Sequence, residues 1–438
     1  MSEPSREQWS GRIGFLLAAI GSAVGLGNMW RFSYLAAENG GAAFVILYLI
    51  LTASVGLPVL LAELVMGRGA KRSPISALAH FGGVRWKPLG LLFVASGFLI
   101  LSYYGVIAGW TVRYALEGLI GGFGADPGAH FQEIATGPFA IFWHVVFMSA
   151  TIAVVAAGVK AGIERTSLVL MPALFFVVCG IALYAYTLPG SAEGYAFYLE
   201  ADFSKLLDPN VINVAAGQAF FSLSLGMGAM MTYASYLSPE QHLPNESLVI
   251  GGADFAVAFI VGLAVFPLIF ALGLSEQVGE STVGALFITL PHAFAQMGEA
   301  GRTVGVLFFA ALVVGAFTSA VSLLEVVTAS AMDSLGWTRA RAAIIFGGVI
   351  TLLGFPAALH LDVLDWMDKL AGNLFLILGG LLLSIFVGWI MADPVSEAAR
   401  GAHGVRWFRL WRTLLRYPVP LILAFVLYSA IRGLWLSG

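Results

Sequence analysis

Eleven apolar segments, each long enough to cross a lipid bilayer as a helix, dominate the 438-residue sequence. Roughly 20 apolar residues suffice to span the hydrocarbon layer. Only 11% of the residues are charged and 59% are hydrophobic, which excludes a soluble domain with a charged surface. We therefore predict an all-α integral membrane protein with about 11 transmembrane helices. The predicted spans lie near residues 12–37, 42–67, 89–120, 138–157, 165–187, 210–236, 247–273, 303–332, 340–356, 366–391 and 415–435.

The basic residues are distributed unequally between the two sets of connecting loops. If the N-terminus is cytoplasmic, 16 of the 22 Lys and Arg residues lie in cytoplasmic segments. Because basic loops stay on the cytoplasmic side of the membrane, we predict a cytoplasmic arm over residues 1–11. An odd number of spans then places Gly438 outside. Since this charge is divided among short loops, nucleic acid is not an expected partner.

Motifs that would indicate an enzyme are missing from the sequence. It contains no Gly-x-Ser-x-Gly, His-Glu-x-x-His or phosphate-binding glycine loop. The single cysteine, Cys179, lies within a predicted span, so neither a disulfide framework nor a cysteine metal cluster is expected. The sequence therefore predicts a polytopic membrane protein without enzymatic activity.

The first span contains a stretch that is poorly suited to a continuous helix. Gly21, Gly25 and Gly27 occur within seven residues, and Asn28 follows them; each glycine lowers helix propensity by about 1 kcal/mol relative to alanine. Lipid offers no partner to an unwound turn, so its carbonyls would have to bind an ion or a substrate. Close packing of helices is the alternative explanation for the glycines. Arg31 favours a functional site, because a cation beside an apolar run needs a partner.

The sixth span repeats this pattern, since residues 218–228 place hydroxyl groups and paired glycines in mid-membrane. The two breaks fall in the first span of two successive five-span groups, residues 12–187 and 210–391, and the odd number gives the groups opposite topologies. Interrupted helices at matching positions of inverted repeats are typical of the binding site of a secondary transporter. We predict a 5+5 inverted-repeat transporter fold with broken first and sixth helices, followed by an extra C-terminal helix over residues 415–435.

A few other polar side chains lie deep within predicted spans. Glu63 in the second span and Asp254 in the seventh are carboxylates in hydrocarbon, which must face protein partners. Thr318 and Ser319 in the eighth span supply hydroxyl oxygens, and with nearby carbonyls they would form the oxygen cage that a hard cation prefers. Hydrogen bonds from these hydroxyls to their own helix are the alternative. Tyr104 adds a phenol that can donate a hydrogen bond to an anion.

Several long motifs in this chain resemble those of the neurotransmitter:sodium symporter family, in its bacterial amino-acid-transporting branch. The resemblance extends from about Arg6 to about Arg416. The motifs are residues 23–32, 36–41, 162–165, 218–228 with 232–236, and 365–372. The resemblance implies a sodium-coupled symporter that imports amino acids through the cytoplasmic (inner) membrane of a bacterium.

The resemblance implies two sodium sites beside one amino-acid site. The first sodium site would consist of the substrate carboxylate and Ala23, Asn28, Ser222 and Asp254. The second would consist of Gly21, Val24, Gly315, Thr318 and Ser319. The substrate site would be lined by Ala23, Gly25, Gly27, Ile100, Tyr104, Phe221, Ser222, Ser224, Met227, Ala320 and Leu323. Because the side-chain end of this site is apolar, a hydrophobic or aromatic L-amino acid is the expected substrate.

The resemblance also implies two gates and several supporting residues. The extracellular gate would consist of Arg31, Asp368, Phe221 and Tyr104. The intracellular gate would consist of Arg6, Trp9, Tyr236, Glu325 and Asp333. Glu63 and Gln218 would support the breaks, and Gly162 with Pro172 would let the fifth span unwind when the inner path hydrates.

Asp254 supplies a carboxylate where chloride-dependent relatives have a neutral residue. Chloride independence is therefore expected, with proton counter-transport if Asp254 is protonated on the return step. Two other functions remain open from the residues alone: a proton-coupled carrier on the same scaffold, and a transport-inactive, receptor-like homologue. The identity of the amino acid and the oligomeric state also remain open.

Overall fold

The computed structural model describes residues 7–124, 126–200, 202–274, 285–401 and 405–436, and within these ranges all regular secondary structure is helical. Eight of the described helices are long and apolar enough to cross a membrane, and one pair bent by 50° makes a ninth candidate. The bent pair, Arg12–Ala23 and Gly27–Glu38, forms the first span. The eight helices are Ala42–Ala70, Val84–Ile120, Pro138–Ala156, Val159–Tyr186, Leu243–Ala271, Gly298–Leu335, Arg339–Leu359 and Trp407–Arg432.

The sixth and tenth predicted spans are each divided into shorter helices. The sixth consists of Pro209–Ser222 and Ala229–Ala234, and the tenth consists of Leu361–Leu370, a π-helical turn Ala371–Phe375 and the apolar helix Leu376–Ile390. Neither span therefore forms one long continuous helix. With them, the described helices occupy all eleven positions that the sequence predicted.

Shorter helices connect the spans and lie outside the predicted membrane segments. They are Pro74–Gly82, Pro127–Ile134, Ser191–Leu199, Leu290–Gln296 and Pro394–Ala399. Two elements differ most from the sequence-based limits. The fifth span begins as a π-helix at Val159, six residues earlier than expected. The last candidate span, Trp407–Arg432, combines most of a helix over Val405–Arg416 with the first part of the helix Pro418–Leu436. The first of these helices was not predicted, because arginines at every third or fourth position interrupt its apolar residues.

The backbone of the first break is irregular over a few residues. The helix Arg12–Ala23 ends where Val24 adopts an extended conformation with ψ of 101°, and Gly27–Arg31 then forms a π-helical turn. In the sixth span, Ser224, Gly226 and Gly228 have φ angles of 53°, 77° and 75°. Glycine adopts this left-handed region without steric cost, whereas at Ser224 it costs about 1 kcal/mol.

The broken spans lie in the middle of the bundle. The first span contacts the fifth, seventh and eighth spans, and the second half of the sixth span contacts the second. The third and eighth spans pack along each other and form the largest helix pair of the scaffold. Both breaks are therefore enclosed by protein, which is the only place where irregular backbone is tolerated at membrane depth.

We expect the substitution Gly226→Ala to destabilise the protein by about 2–4 kcal/mol, from left-handed strain and overpacking together. A Cβ atom on Gly226 would lie 2.2 Å from the Leu376 carbonyl oxygen. The melting temperature of the purified protein in detergent measures the effect. Gly252→Ala is the matched control, because a Cβ atom there meets nothing within 4 Å. Equal melting temperatures of the two variants would contradict this account of the break.

Candidate functional site

Asp254 is a fully buried carboxylate in the seventh span, and its hydrogen-bond donors come from three other spans. Asn28 Nδ2 donates to Asp254 Oδ1 at 2.7 Å, Ser222 Oγ lies 2.9 Å from both carboxylate oxygens, and Tyr48 OH lies 2.9 Å from Oδ2. All three donors are neutral, so they do not balance the negative charge. A buried carboxylate among oxygen atoms is suited to holding a hard cation.

The two helix breaks place Asn28 and Ser222 beside this carboxylate. Asn28 lies in the π-helical turn Gly27–Arg31, where its Oδ1 accepts a hydrogen bond from Gly25 N at 3.1 Å. Ser222 is the last residue of the first half of the sixth span. Each break thus brings one polar side chain to Asp254, which lies within an unbroken helix.

A second group of oxygen atoms joins the first span to the eighth. Ser319 Oγ lies 3.3 Å from the carbonyl oxygen of Gly21 and 3.2 Å from that of Ser22. The Ser22 carbonyl also accepts a hydrogen bond from Ser224 Oγ at 2.8 Å. The carbonyls at the end of the first helix half are therefore held by hydroxyl groups from the sixth and eighth spans.

The other predicted members of this group lie beside Ser319. A Cβ atom on Gly21 would lie 3.0 Å from Thr318 Cβ, and one on Gly315 would lie 3.5 Å from the Val24 carbonyl oxygen. Thr318 Oγ1 lies 3.2 Å from the Gly315 carbonyl, so its hydroxyl bonds within its own helix. The structure brings the five residues predicted for the second sodium site together.

A small cavity lies between the two groups. Nine of the eleven predicted substrate residues line it, together with Ser22 and Ser319. The nine are Ala23, Gly25, Gly27, Ile100, Tyr104, Phe221, Ser224, Met227 and Leu323. Polar groups of the first break form one end, where Tyr104 OH accepts a hydrogen bond from Leu26 N at 3.2 Å. Small residues make the space, since a Cβ atom on Gly25 would lie 2.4 Å from Ser319 Oγ.

Ala320 and Ser222 do not lie on the wall of this cavity. Ser319 and Leu323 are four residues apart and share one face of the eighth span, whereas Ala320 is turned by about 100° from Ser319. The short Ala320 side chain is fully buried there. Ser222 belongs instead to the hydrogen-bonded group around Asp254.

Glu63 and Gln218 satisfy the backbone groups that the breaks leave open. Glu63 accepts hydrogen bonds from Gly226 N at 2.9 Å and Met231 N at 3.2 Å, both in the sixth span. Gln218 Nε2 donates to the Gly27 carbonyl at 2.8 Å. Both side chains are fully buried, so these bonds replace water that the bundle excludes.

A family model described as the sodium:neurotransmitter symporter family matches residues 6–123 and 133–434. The chain belongs to the sodium:neurotransmitter symporter family. It is a sodium-dependent symporter, and the family is one of transporters rather than enzymes, as the sequence predicted.

Three proteins similar to this symporter match it over nearly their whole length. A crystal structure of MhsT in complex with L-phenylalanine has 43% sequence identity and a TM-score of 0.90, and the match covers 97% of this chain and 100% of MhsT. An uncharacterized sodium-dependent transporter, YhdH, of Bacillus subtilis is 36% identical over 98% of this chain and 99% of its own. A similarly described protein of Haemophilus influenzae is 31% identical over 97% and 98%. The structural match confirms the predicted transporter fold.

Aromatic rings cover the cavity of the symporter on one side. Phe221 lines the cavity, and the Arg31 guanidinium carbon lies 4.8 Å from the centre of its ring. Asp368 Oδ1 accepts a hydrogen bond from Tyr103 OH at 2.8 Å. A Cβ atom on Gly372 would lie 3.5 Å from Asp368 Oδ1 and 3.8 Å from Phe221. The predicted outer-gate residues therefore surround Phe221, and Tyr103 joins them.

A plug of aromatic and charged residues closes the opposite side of the symporter. Trp9 Nε1 donates to the Tyr233 carbonyl at 2.9 Å, and the Trp9 ring packs edge to face on Tyr236. Tyr236 OH donates a hydrogen bond to Glu325, which also accepts one from Arg339 Nη1 at 2.6 Å. Glu325 is fully buried, so Arg339 supplies the positive charge that this depth requires.

The predicted pairing of Arg6 with Asp333 lies partly outside the described residues, because Arg6 is not among them. Asp333 Oδ2 accepts a hydrogen bond from Ser73 N at 2.6 Å. Asp333 therefore ties the end of the eighth span to the segment that follows the second span.

The fifth span is helical throughout its described length. Gly162 lies in the π-helix Val159–Glu164, where a Cβ atom would lie 1.9 Å from the Val154 carbonyl oxygen. Pro172 lies inside the helix Arg165–Tyr186 without ending it. Glycine and proline both lower helix propensity, and the predicted unwinding of the fifth span stays a prediction.

Sequence reasoning missed three features of this site. Tyr48 is a phenol in an aliphatic run of the second span, a signal of the same kind as Glu63. Ser22 Oγ donates to Ser322 Oγ at 2.7 Å, a second link between the first and eighth spans. Arg339 directly precedes the predicted ninth span, and nothing in the sequence pairs it with Glu325.

We expect Arg339→Gln to open the inner path, because it leaves Glu325 buried without its charged partner. Breaking a buried ion pair costs about 3–5 kcal/mol. The reporter is a cysteine at Met171, which faces Gly21 beneath the cavity, in a Cys179→Ala background. Arg339→Gln should increase the rate of thiol labelling of Met171→Cys several-fold.

Arg341→Gln is the matched control for this experiment. Arg341 is exposed on the same helix and stacks on Trp337 at 4.5 Å. An unchanged labelling rate in Arg339→Gln, or an equal increase in Arg341→Gln, would contradict the proposed role of the plug.

Proposed function

We propose that this symporter imports hydrophobic or aromatic L-amino acids across the bacterial cytoplasmic membrane, together with sodium bound at two sites and without chloride. Membership of the family makes it a sodium-dependent transporter. The observation that carries the finer proposal is the buried Asp254 carboxylate, with its neutral donors Asn28, Ser222 and Tyr48, beside a cavity lined by most of the predicted substrate residues.

The two ends of the cavity match the two ends of an amino acid. Tyr104 accepts a hydrogen bond from Leu26 N, so its own proton is available for a substrate carboxylate. Amides at the start of a helix segment add positive potential at the same end. Ile100, Phe221, Met227 and Leu323 form the apolar part, where a charged side chain would be left unpaired. The complex of MhsT with L-phenylalanine supports this substrate class.

The first sodium ion would bind between Asp254 and the substrate carboxylate. The donors on this chain would be the Ala23 carbonyl, Ser222, Asp254 and the Asn28 amide oxygen. In the structure Asn28 directs Nδ2 to Asp254 and Oδ1 to Gly25 N, so the amide would turn over to coordinate the ion. Because the substrate is then a ligand of its driving ion, each raises the affinity of the other.

The second sodium ion would bind between the first and eighth spans. Carbonyls of Gly21, Val24 and Gly315 with the hydroxyls of Thr318 and Ser319 form a set of neutral oxygen donors. Ser319 already bridges to the Gly21 carbonyl at 3.3 Å. An ion here would fasten the broken helix to the scaffold and release it when the ion leaves.

Alternating access would exchange the two closures around a fixed site. The first five spans, residues 12–187, and the second five, residues 210–391, would act as inverted repeats. Outer closure would involve the predicted pairing of Arg31 with Asp368, and inner closure would involve the plug around Glu325. The plug side would face the cytoplasm, with the N-terminus inside and the C-terminus outside; the excess of basic residues in the loops on that side supports this orientation.

Uptake by purified protein in proteoliposomes tests this function. Labelled amino acids with apolar, polar, acidic and basic side chains would be offered with sodium, proton and chloride gradients varied separately. We expect accumulation of apolar or aromatic L-amino acids only with an inward sodium gradient. Uptake driven by protons without sodium would favour the proton-coupled carrier, and no uptake of any amino acid would favour the receptor-like homologue.

We expect Asp254→Ser to convert this protein from chloride-independent to chloride-dependent uptake. A serine removes the fixed carboxylate, and chloride can then supply a negative charge beside sodium. The measurement is sodium-driven uptake with chloride or gluconate as the anion. Wild-type uptake that stops without chloride, or chloride-independent uptake by Asp254→Ser, would contradict the role given to Asp254.

A further inference from the structure

The helix Val405–Arg416, which joins the tenth and eleventh spans, presents a basic surface that transport does not explain. Its sequence places arginines at positions 406, 409, 412 and 416. One face is anchored to the bundle, where Trp411 is buried and its Nε1 donates to the Pro58 carbonyl at 3.0 Å. Trp407 and Leu410 of the same helix are 50% and 57% exposed. This is the pattern of a helix that lies at a membrane surface.

Arg412 and Arg416 converge on one backbone oxygen. Both Nε atoms donate to the Gly388 carbonyl, at 3.2 Å and 2.6 Å, and Arg412 Nη2 donates to the Met391 carbonyl at 3.0 Å. Two guanidinium groups that share one acceptor repel each other, and an anion between them would relieve the repulsion. Arg409 is exposed one turn before Arg412 on the same helix.

The carboxylates near this surface are engaged with other partners. Glu397 pairs with Arg68 at 2.9 Å and with Arg400 at 2.9 Å. Asp393 caps the helix Pro394–Ala399, and hydrogen bonds from the Ser396 side chain and backbone lower the pKa of Asp393. Asp393 stays charged and offsets part of the field of Arg412, which leaves an excess of positive charge on Arg409, Arg412 and Arg416.

An aromatic pair marks the depth of these arginines in the membrane. The Trp389 and Tyr417 rings lie 5.4 Å apart, both about half exposed, and the Arg416 guanidinium lies 5.3 Å from the Trp389 ring. Tryptophan and tyrosine gather at the boundary between headgroups and acyl chains. The guanidinium groups are therefore at phosphate depth, with the exposed Trp389 ring beside Arg416.

We propose that Arg409, Arg412 and Arg416 bind the phosphodiester group of an anionic phospholipid. Guanidinium groups match phosphate oxygens in geometry and charge. The excess of positive charge favours an anionic lipid over a zwitterionic one. The half-exposed Trp389 and Tyr417 rings favour a lipid over free phosphate, because they offer contact to an acyl chain beside Arg416. The bound lipid would hold the tenth and eleventh spans together through the Gly388 carbonyl link.

Lipid binding to the purified, delipidated full-length protein tests this site. Native mass spectrometry would compare retention of phosphatidylglycerol and phosphatidylethanolamine of identical acyl chains. We expect the wild-type protein to retain phosphatidylglycerol at least tenfold more strongly, and Arg412→Gln/Arg416→Gln to lose this preference. Because those two arginines also bond to Gly388, Arg409→Gln serves as a variant at an exposed position, with an expected partial loss of about threefold.

Arg85→Gln/Lys87→Gln is the matched control, since both residues are exposed at the start of the third span, on the side where the sequence predicts basic loops. This variant removes two basic charges and should keep the preference. Equal retention of the two lipids by the wild-type protein, or an equal loss in the control, would overturn the proposal. So would full displacement of the lipid by inorganic phosphate at a concentration equal to that of the lipid.

Discussion

The backbone groups that the two helix breaks leave open have to be satisfied inside a bundle that excludes water, and the rest of the site depends on this constraint. Glu63 does so for the sixth span through Gly226 N and Met231 N, and Gln218 does so for the Gly27 carbonyl. Each of these bonds joins one span to another. A break is therefore stable only when its neighbours are in place, which makes the broken helices a tertiary feature and ties their geometry to the positions of the surrounding spans.

The two buried acids on either side of the cavity have opposite electrostatic environments. Asp254 has only neutral donors around it in the structure, from Asn28, Ser222 and Tyr48, so it is suited to a cation that arrives and leaves. Glu325 is paired with Arg339, so its charge is balanced by the protein itself. A transported ion needs the first arrangement. A closure that must hold until the protein changes state needs the second, because separating a buried ion pair is costly.

Much of this architecture could be predicted from the residues because membrane insertion imposes strict local rules. The apolar runs located eleven spans, and the glycines near Gly21 and Gly226 located both breaks. Contacts between residues that are distant in the chain could not be predicted in the same way. The hydrogen bond of Tyr48 to Asp254 and the ion pair of Arg339 with Glu325 join residues that no sequence spacing relates. Nine of the eleven residues that the resemblance implies for the substrate site line the cavity, but Ala320 does not, because the helical period turns it away.

By itself, the sequence determined that the chain crosses a membrane, where it does so and where its helices break, because hydropathy and glycine content act over neighbouring residues. Only the tertiary structure decided which polar side chains lie together around the buried carboxylate of Asp254. Asn28, Ser222 and Asp254 are as much as 226 positions apart in the chain yet lie within hydrogen-bonding distance. Their meeting depends on how whole helices pack, and packing energy is distributed over many contacts between distant segments. The donor set around Asp254 therefore belongs to the fold, whereas the break that supplies Asn28 is already visible in the chain.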